Sequence, residues 1–308
     1  MRRTEQMSET LLSDLMKTDS LPSVIKEVRH ILDAILPGID FSMVIAAFNM
    51  TVDLYEGRFP GYQACNTDYH DLRHTTDTII AMVRLIHGAS IKGQRFTDRQ
   101  IMLGMITALF HDAGYILEEF DNEGTGAKYT AFHVDRSMAF LGRFGEDLGL
   151  DHSEIVDGQQ IILCTDLEAK IPEIRFSSKE IELLGKMLGV ADLFAQMADR
   201  TYLEKLKFLY SEFKEGQIGD YTSEIDLLKK TVGFYDFIET RVKTILSGTD
   251  KYMKPHFAQR WGISEDLYHK SISNQKAYLK KILANPDSID PRKFLKRQKI
   301  QSKSERQC

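Results

Sequence analysis

Helical spacing dominates the pattern of apolar and polar positions along this chain. From Thr97, with Gln100 three residues on as a capping box, Ile101, Met105, Ile106, Leu109 and Phe110 share one face of a helix leading to His111 and Asp112. Ser177 and Glu180 open a second helix in the same way, and its Leu183, Leu184, Met187, Leu188 and Ala191 lead to Asp192. Both helices are expected to end in acid-bearing motifs. Pro and Gly are sparse and scattered, so the punctuation that many short strands require is absent. Residues 121–128 and 215–221, rich in Gly and polar side chains, read as loops. The expected fold is all-α: a compact multi-helix bundle with additional C-terminal helices, one domain spanning residues 1–308.

Charge narrows the class of partner. With 40 Lys and Arg against 45 Asp and Glu, the net charge of -5 speaks against a surface built for nucleic acid, and a small anionic ligand needs a local cation. Cys65, Cys164 and Cys308 lie far apart and form no CxxC pair, which fits a reducing cytoplasm better than a disulfide framework. No apolar run reaches the 18 residues of a membrane span, so no membrane partner is expected. Beyond Pro286 the composition turns basic, and residues 287–308, with Arg292, Lys293, Lys296 and Arg297, read as a frayed tail. A homodimer built on the C-terminal helices around Trp261 and Tyr268 stays open.

Three segments carry His and Asp where an apolar core would not place them. In Tyr69-His70-Asp71-Leu72-Arg73-His74 a separation of four puts both imidazoles on one helix face, roughly 5–6 Å apart at Cβ. In His111-Asp112-Ala113-Gly114-Tyr115 adjacent side chains diverge by about 100° on a continuous helix, so the pair can share an ion only where the helix stops. Gly114 supplies an expected end. In Gly189-Val190-Ala191-Asp192-Leu193 a lone carboxylate terminates an apolar run, and its burial calls for a metal or a cationic partner. Two imidazoles and two carboxylates suit zinc, iron or manganese better than calcium, and leave room for water.

These segments, in this order, resemble the HD superfamily of metal-dependent phosphohydrolases, and more narrowly the catalytic domain of the class I 3',5'-cyclic nucleotide phosphodiesterases. Tyr69 to His74 is similar to the family's Tyr-His-Asn-x-x-His, with Asp71 in place of Asn. Cys164-Thr165-Asp166-Leu167 resembles its Ala-Thr-Asp-Met, and Val232-Gly233-Phe234-Tyr235-Asp236-Phe237-Ile238 its Val-Gly-Phe-Ile-Asp-Tyr-Ile, so the likeness covers about residues 60–250. It implies that His74, His111, Asp112 and Asp192 hold the first ion, and that His70 is the general acid. Asp166 and His133 would assist catalysis by orienting water, a ligand or the substrate phosphate. Tyr69 and Phe234 would meet a small-molecule phosphoester, a cyclic nucleotide or another nucleotide phosphodiester, which metal-activated water hydrolyses.

The departures from that pattern bear on substrate and ion count. Tyr115 stands where the family has a second histidine, and Thr130, ahead of His133, where it has a glutamate; both normally support a second ion through water. Thr165 is retained beside Asp166, so a second site for magnesium or manganese is expected to be weak. Thr231 replaces the purine-holding glutamine, and a hydroxyl cannot make an amide's bidentate contact. Two other readings are a metal-stabilised binding or sensor module without catalysis, and an HD oxygenase holding two irons.

Overall fold

The computed structural model describes residues 10–15, 20–285, 290–295 and 301–302. These form twelve α-helices with short 3-10 turns between them. They are α1 (Leu12–Leu15), α2 (Leu21–Ile35), α3 (Ser42–Tyr55), α4 (Leu72–Ile91), α5 (Asp98–Phe110) and α6 (His133–Phe144). The second half holds α7 (His152–Leu163), α8 (Lys179–Met197), α9 (Tyr202–Glu215), α10 (Glu224–Thr244), α11 (Met253–Trp261) and α12 (Leu267–Leu283). Among the described residues no strand forms, and an isolated antiparallel bridge joins Tyr62 to Glu118. The all-α expectation therefore holds, and no described helix is long and apolar enough to cross a membrane.

α4 is the axis of the bundle. Its residues are buried without interruption from Thr78 to Ala89, because α2, α5, α8 and α11 surround it. α5 and the second half of α8 are likewise buried on nearly every face, while α2 shows the one-sided stripe of an outer helix, burying Val24, Val28, Ile31 and Leu32. The closeness of packing is visible at Gly88, where a Cβ would stand 1.7 Å from the Tyr252 carbonyl oxygen.

Several sequence expectations shift in register. The Thr97–Gln100 capping box is present and starts α5. α8 is capped by Ser178, whose hydroxyl accepts from the Ile181 amide, one residue after the expected Ser177. Asp192 does not end α8, which continues to Met197, because Leu193, Phe194 and Ala195 are buried in turn. His70 lies outside α4: Asp71 is extended and its carboxylate accepts the His74 amide at 3.0 Å, so the helix begins only at Leu72. Gly114 is not the helix end either, since α5 stops at Phe110. The glycine serves a close approach, for a Cβ there would sit 1.9 Å from the His133 carbonyl oxygen.

Part of the basic tail packs against the helices. Pro291–Phe294 forms a 3-10 turn, Arg292 pairs with Glu224 at 2.7 Å, and the Tyr278 hydroxyl donates to the Phe294 carbonyl at 2.6 Å. Lys296 and Arg297, and Cys308, lie outside the described residues. Tyr268 is buried within the chain, accepting from Arg84 at 3.0 Å, and Trp261 is half-buried beside it.

Candidate metal centre

Helix termini bring the chemistry together. His74 comes from the first turn of α4, His111 and Asp112 from the residues just past α5, and Asp192 from within α8. One ligand atom each of His74, His111 and Asp112 lies within 4.8 Å of the others, and all three are buried. Asp192 falls outside that tight group, yet its Oδ1 stands 3.0 Å from His74 Nε2 and 3.7 Å from His111 Nε2. The two Nε2 atoms are 3.2 Å apart, and both are 3.3 Å from Asp112 Oδ2. That carboxylate oxygen is buried, and no hydrogen bond of acceptable geometry reaches it from the described residues. Imidazole nitrogens and carboxylate oxygens converging on a common point, with a buried carboxylate oxygen left unmet, are the arrangement expected of ligands, so these residues could hold a divalent cation.

The surrounding bonds fix the ligand atoms. His111 Nδ1 donates to the Ala108 carbonyl at 2.9 Å, which leaves its Nε2 with a lone pair for an ion. Gln196, one helical turn after Asp192, donates to Asp192 Oδ1 at 2.7 Å and accepts from the Tyr69 hydroxyl at 3.0 Å. Electrostatics agree with geometry. Burial alone would lower both imidazoles, but the adjacent Asp112 and Asp192 carboxylates overcome it, raising His74 to about 9 and His111 well above its usual value. Burial likewise pushes the two carboxylates up, and the imidazoles pull both well below the ordinary range. The centre is built to hold positive charge.

Beside it stands a second group that sequence reasoning caught only in part. His70 Nδ1 lies 2.6 Å from Glu212 Oε2, and the other oxygen of Glu212 accepts the Tyr69 amide at 2.6 Å. Glu212 was not foreseen; the available signal was an acid at the apolar period of α9, where Glu204, Phe208 and Glu212 recur every fourth residue and all are buried. Gln196 was missed too, although its spacing of four from Asp192 is the spacing of helical neighbours. Tyr115 is sandwiched between His70, 4.2 Å between ring centres, and His133, 4.5 Å away. Its hydroxyl bonds to Thr130, so the two residues that depart from the expected pattern meet each other. His133 Nδ1 is satisfied by the Thr130 carbonyl at 2.8 Å, while its Nε2 faces Asp112 Oδ1 at 3.6 Å. Burial lowers its pKa.

A cavity of about 390 Å³ opens onto these groups. Tyr69, His70, Asp112, Tyr115, Thr130, His133, Thr165, Asp166, Asp192, Thr231 and Phe234 all line it, so the expected substrate and catalytic positions share one chamber. His74 and His111 stand behind Asp112 and Asp192, off the cavity wall. Asp166 does not reach a ligand histidine. Its carboxylate accepts the Glu168 amide at 2.7 Å in a local turn, and its carbonyl, with that of Leu167, is held by Arg241. The Thr165 hydroxyl donates to Ile162 and the Thr231 hydroxyl to Leu227, each at 2.8 Å within its own helical turn.

A family model described as Npun_R2479-like matches residues 117–254. The match spans less than half of the chain. It includes His133, Asp166, Asp192, Glu212, Thr231 and Phe234, whereas His70, His74, His111 and Asp112 precede it. Its description states no activity, and no curated protein matches the chain.

Proposed function

We propose that the chain is a metal-dependent phosphohydrolase of the HD type that cleaves a phosphoester. The observation that carries this reading is the convergence of His74, His111, Asp112 and Asp192 at the edge of a cavity whose wall also bears His70 backed by Glu212. A divalent ion at those four residues would supply an acidified water and a positive pole for the phosphoryl oxygens. Zinc, iron and manganese fit this mixed N/O set, and the same chemistry makes them the ions of choice here.

The protein's own groups divide the remaining work. With Nδ1 engaged by Glu212, the His70 ring keeps Nε2 free to give a proton to the leaving oxygen. Stacking on Tyr115 restricts ring rotation. Gln196 and the Ala108 carbonyl hold Asp192 and His111 in register. Because the Tyr115 ring occupies the gap between His70 and His133, and its hydroxyl is taken by Thr130, we assign one ion per chain rather than two. This argues against the di-iron oxygenase reading.

The test is metal analysis combined with turnover. Purified protein loaded with zinc, manganese or iron should carry about one ion per chain and release alcohol from a panel of phosphoesters. His70→Ala should lower turnover by about 10²–10⁴ while leaving ion content and melting temperature unchanged. Complete inactivity of fully loaded wild type would leave only the binding-module reading.

A further inference from the structure

Away from the ligands, the cavity changes character. Leu193, Leu206, Leu209, Phe213, Leu227 and Phe234 give it an extensive apolar wall. Most of the polar side chains interspersed among them are already committed, although Tyr202 and Tyr221 also line the cavity. Thr231 bonds to Leu227, Thr165 to Ile162, and Thr130 to the Ala127 carbonyl at 2.6 Å, while Gln196 bridges Tyr69 and Asp192. Lys230 is the cation of the lining, and it too is engaged, at 2.9 Å from Asp226 and 2.8 Å from the Asp220 carbonyl. Asp166 and Glu168 add negative charge to the lining.

A nucleobase buried here would meet few partners beyond the Tyr202 and Tyr221 phenols and the Asp166 and Glu168 carboxylates, and each ring nitrogen or exocyclic group left unmet weakens binding by about tenfold or more. An apolar ring or short branched chain has no such requirement and gains from leaving water. A second phosphoryl group would meet carboxylates and no spare cation. The chamber lies near the small end of the 300–1,000 Å³ typical of ligand pockets, at about 390 Å³.

We propose that the substrate joins a single phosphoryl group to a compact apolar alcohol component, which sits against Phe234 and the leucines, in preference to a nucleotide. This rests on the phosphohydrolase reading above. In the reaction the oxygen of water bonds to phosphorus, the phosphorus–oxygen bond to the apolar component breaks, and that component leaves as the protonated alcohol. An aromatic and an aliphatic alcohol share this chemistry, and the experiment separates them.

Phenylphosphonate, cyclohexylphosphonate, methylphosphonate and adenosine 5'-monophosphate serve as probes, titrated calorimetrically into the full chain with and without zinc. One of the two ring phosphonates should bind at least tenfold more tightly than both methylphosphonate and the nucleotide. Phe234→Ala and Leu209→Ala, both at half-buried positions, should reduce that preference severalfold with unchanged zinc content and circular dichroism. In parallel, turnover of phenyl and cyclohexyl phosphoesters should exceed that of nucleotide esters at least tenfold in kcat/KM. Hydrolysis with nucleotides equal or preferred overturns the substrate proposal and leaves the phosphohydrolase reading standing. No hydrolysis of any ester by zinc-loaded protein overturns both.

Discussion

Proton competition at the ligand histidines sets how tightly an ion can be held at each pH. His74 titrates at about 9 in the ion-free protein, because two carboxylates keep its imidazolium stable despite burial. An ion must displace that proton. Between pH 9 and pH 7, affinity should therefore fall about 50-fold from this group alone, approaching tenfold per pH unit at the lower end. His111, also raised, steepens the dependence, whereas Asp112 and Asp192 stay ionised throughout and add nothing. The ion-free protein follows the opposite sign. A raised imidazole stabilises the fold fully below its ordinary value of 6.5, and that contribution is lost as pH climbs through about 9. Its size, from 6.5 to about 9, is about 3 kcal/mol. Competition against a chelator of known affinity from pH 6 to 9, with proton release counted in buffers of different ionisation enthalpy, measures the first effect; thermal melts of chelator-treated protein measure the second. Ion affinity independent of pH, with no proton released, would refute the assignment of these imidazoles as ligands.

Other outcomes follow from the same geometry. His74→Ala should eliminate ion binding and destabilise the fold by about 3–5 kcal/mol in denaturant titrations, since it leaves buried carboxylates with less compensation. His70→Ala should lower kcat by about 10²–10⁴ at unchanged ion content, and Glu212→Gln should lower it by a smaller factor. Gly114→Ala should cost about 1–3 kcal/mol or more, because the added methyl meets the His133 carbonyl, and melting temperature will report it. The double change Tyr115→His with Thr130→Glu should raise bound ions from one to two per chain by elemental analysis if the tyrosine is what keeps a second ion out.

Much of this molecule was legible in its residue order, because long buried helices leave a strong periodic trace. α5 and α8 could be drawn nearly to their ends, and the acids they carry pointed to each other. What failed was the detail set by side chains bonding to backbone. Asp71 looks like one more member of a polar cluster until its carboxylate is seen closing the first turn of α4, which removes His70 from that helix. Gly114 looks like a helix stop and proves to be a contact point between chain segments. Glu212, 142 residues from His70, had no local signature beyond an acid on an apolar stripe, and its meaning depends on a fold-level neighbour that no spacing rule supplies. Thr231 could be assigned to the cavity, but that its hydroxyl is turned back onto Leu227 is a rotamer choice.

The placement of His74 and His111 behind Asp112 and Asp192 has a kinetic corollary. Asp112 and Asp192 line the chamber, so a molecule seated against Phe234 would cover the ion's route through it, and the second pocket that reaches His74 is far smaller, at about 10 Å³. Chelators should strip resting protein readily and saturated protein slowly, making occupancy of the chamber, and not affinity alone, the determinant of how long the ion stays.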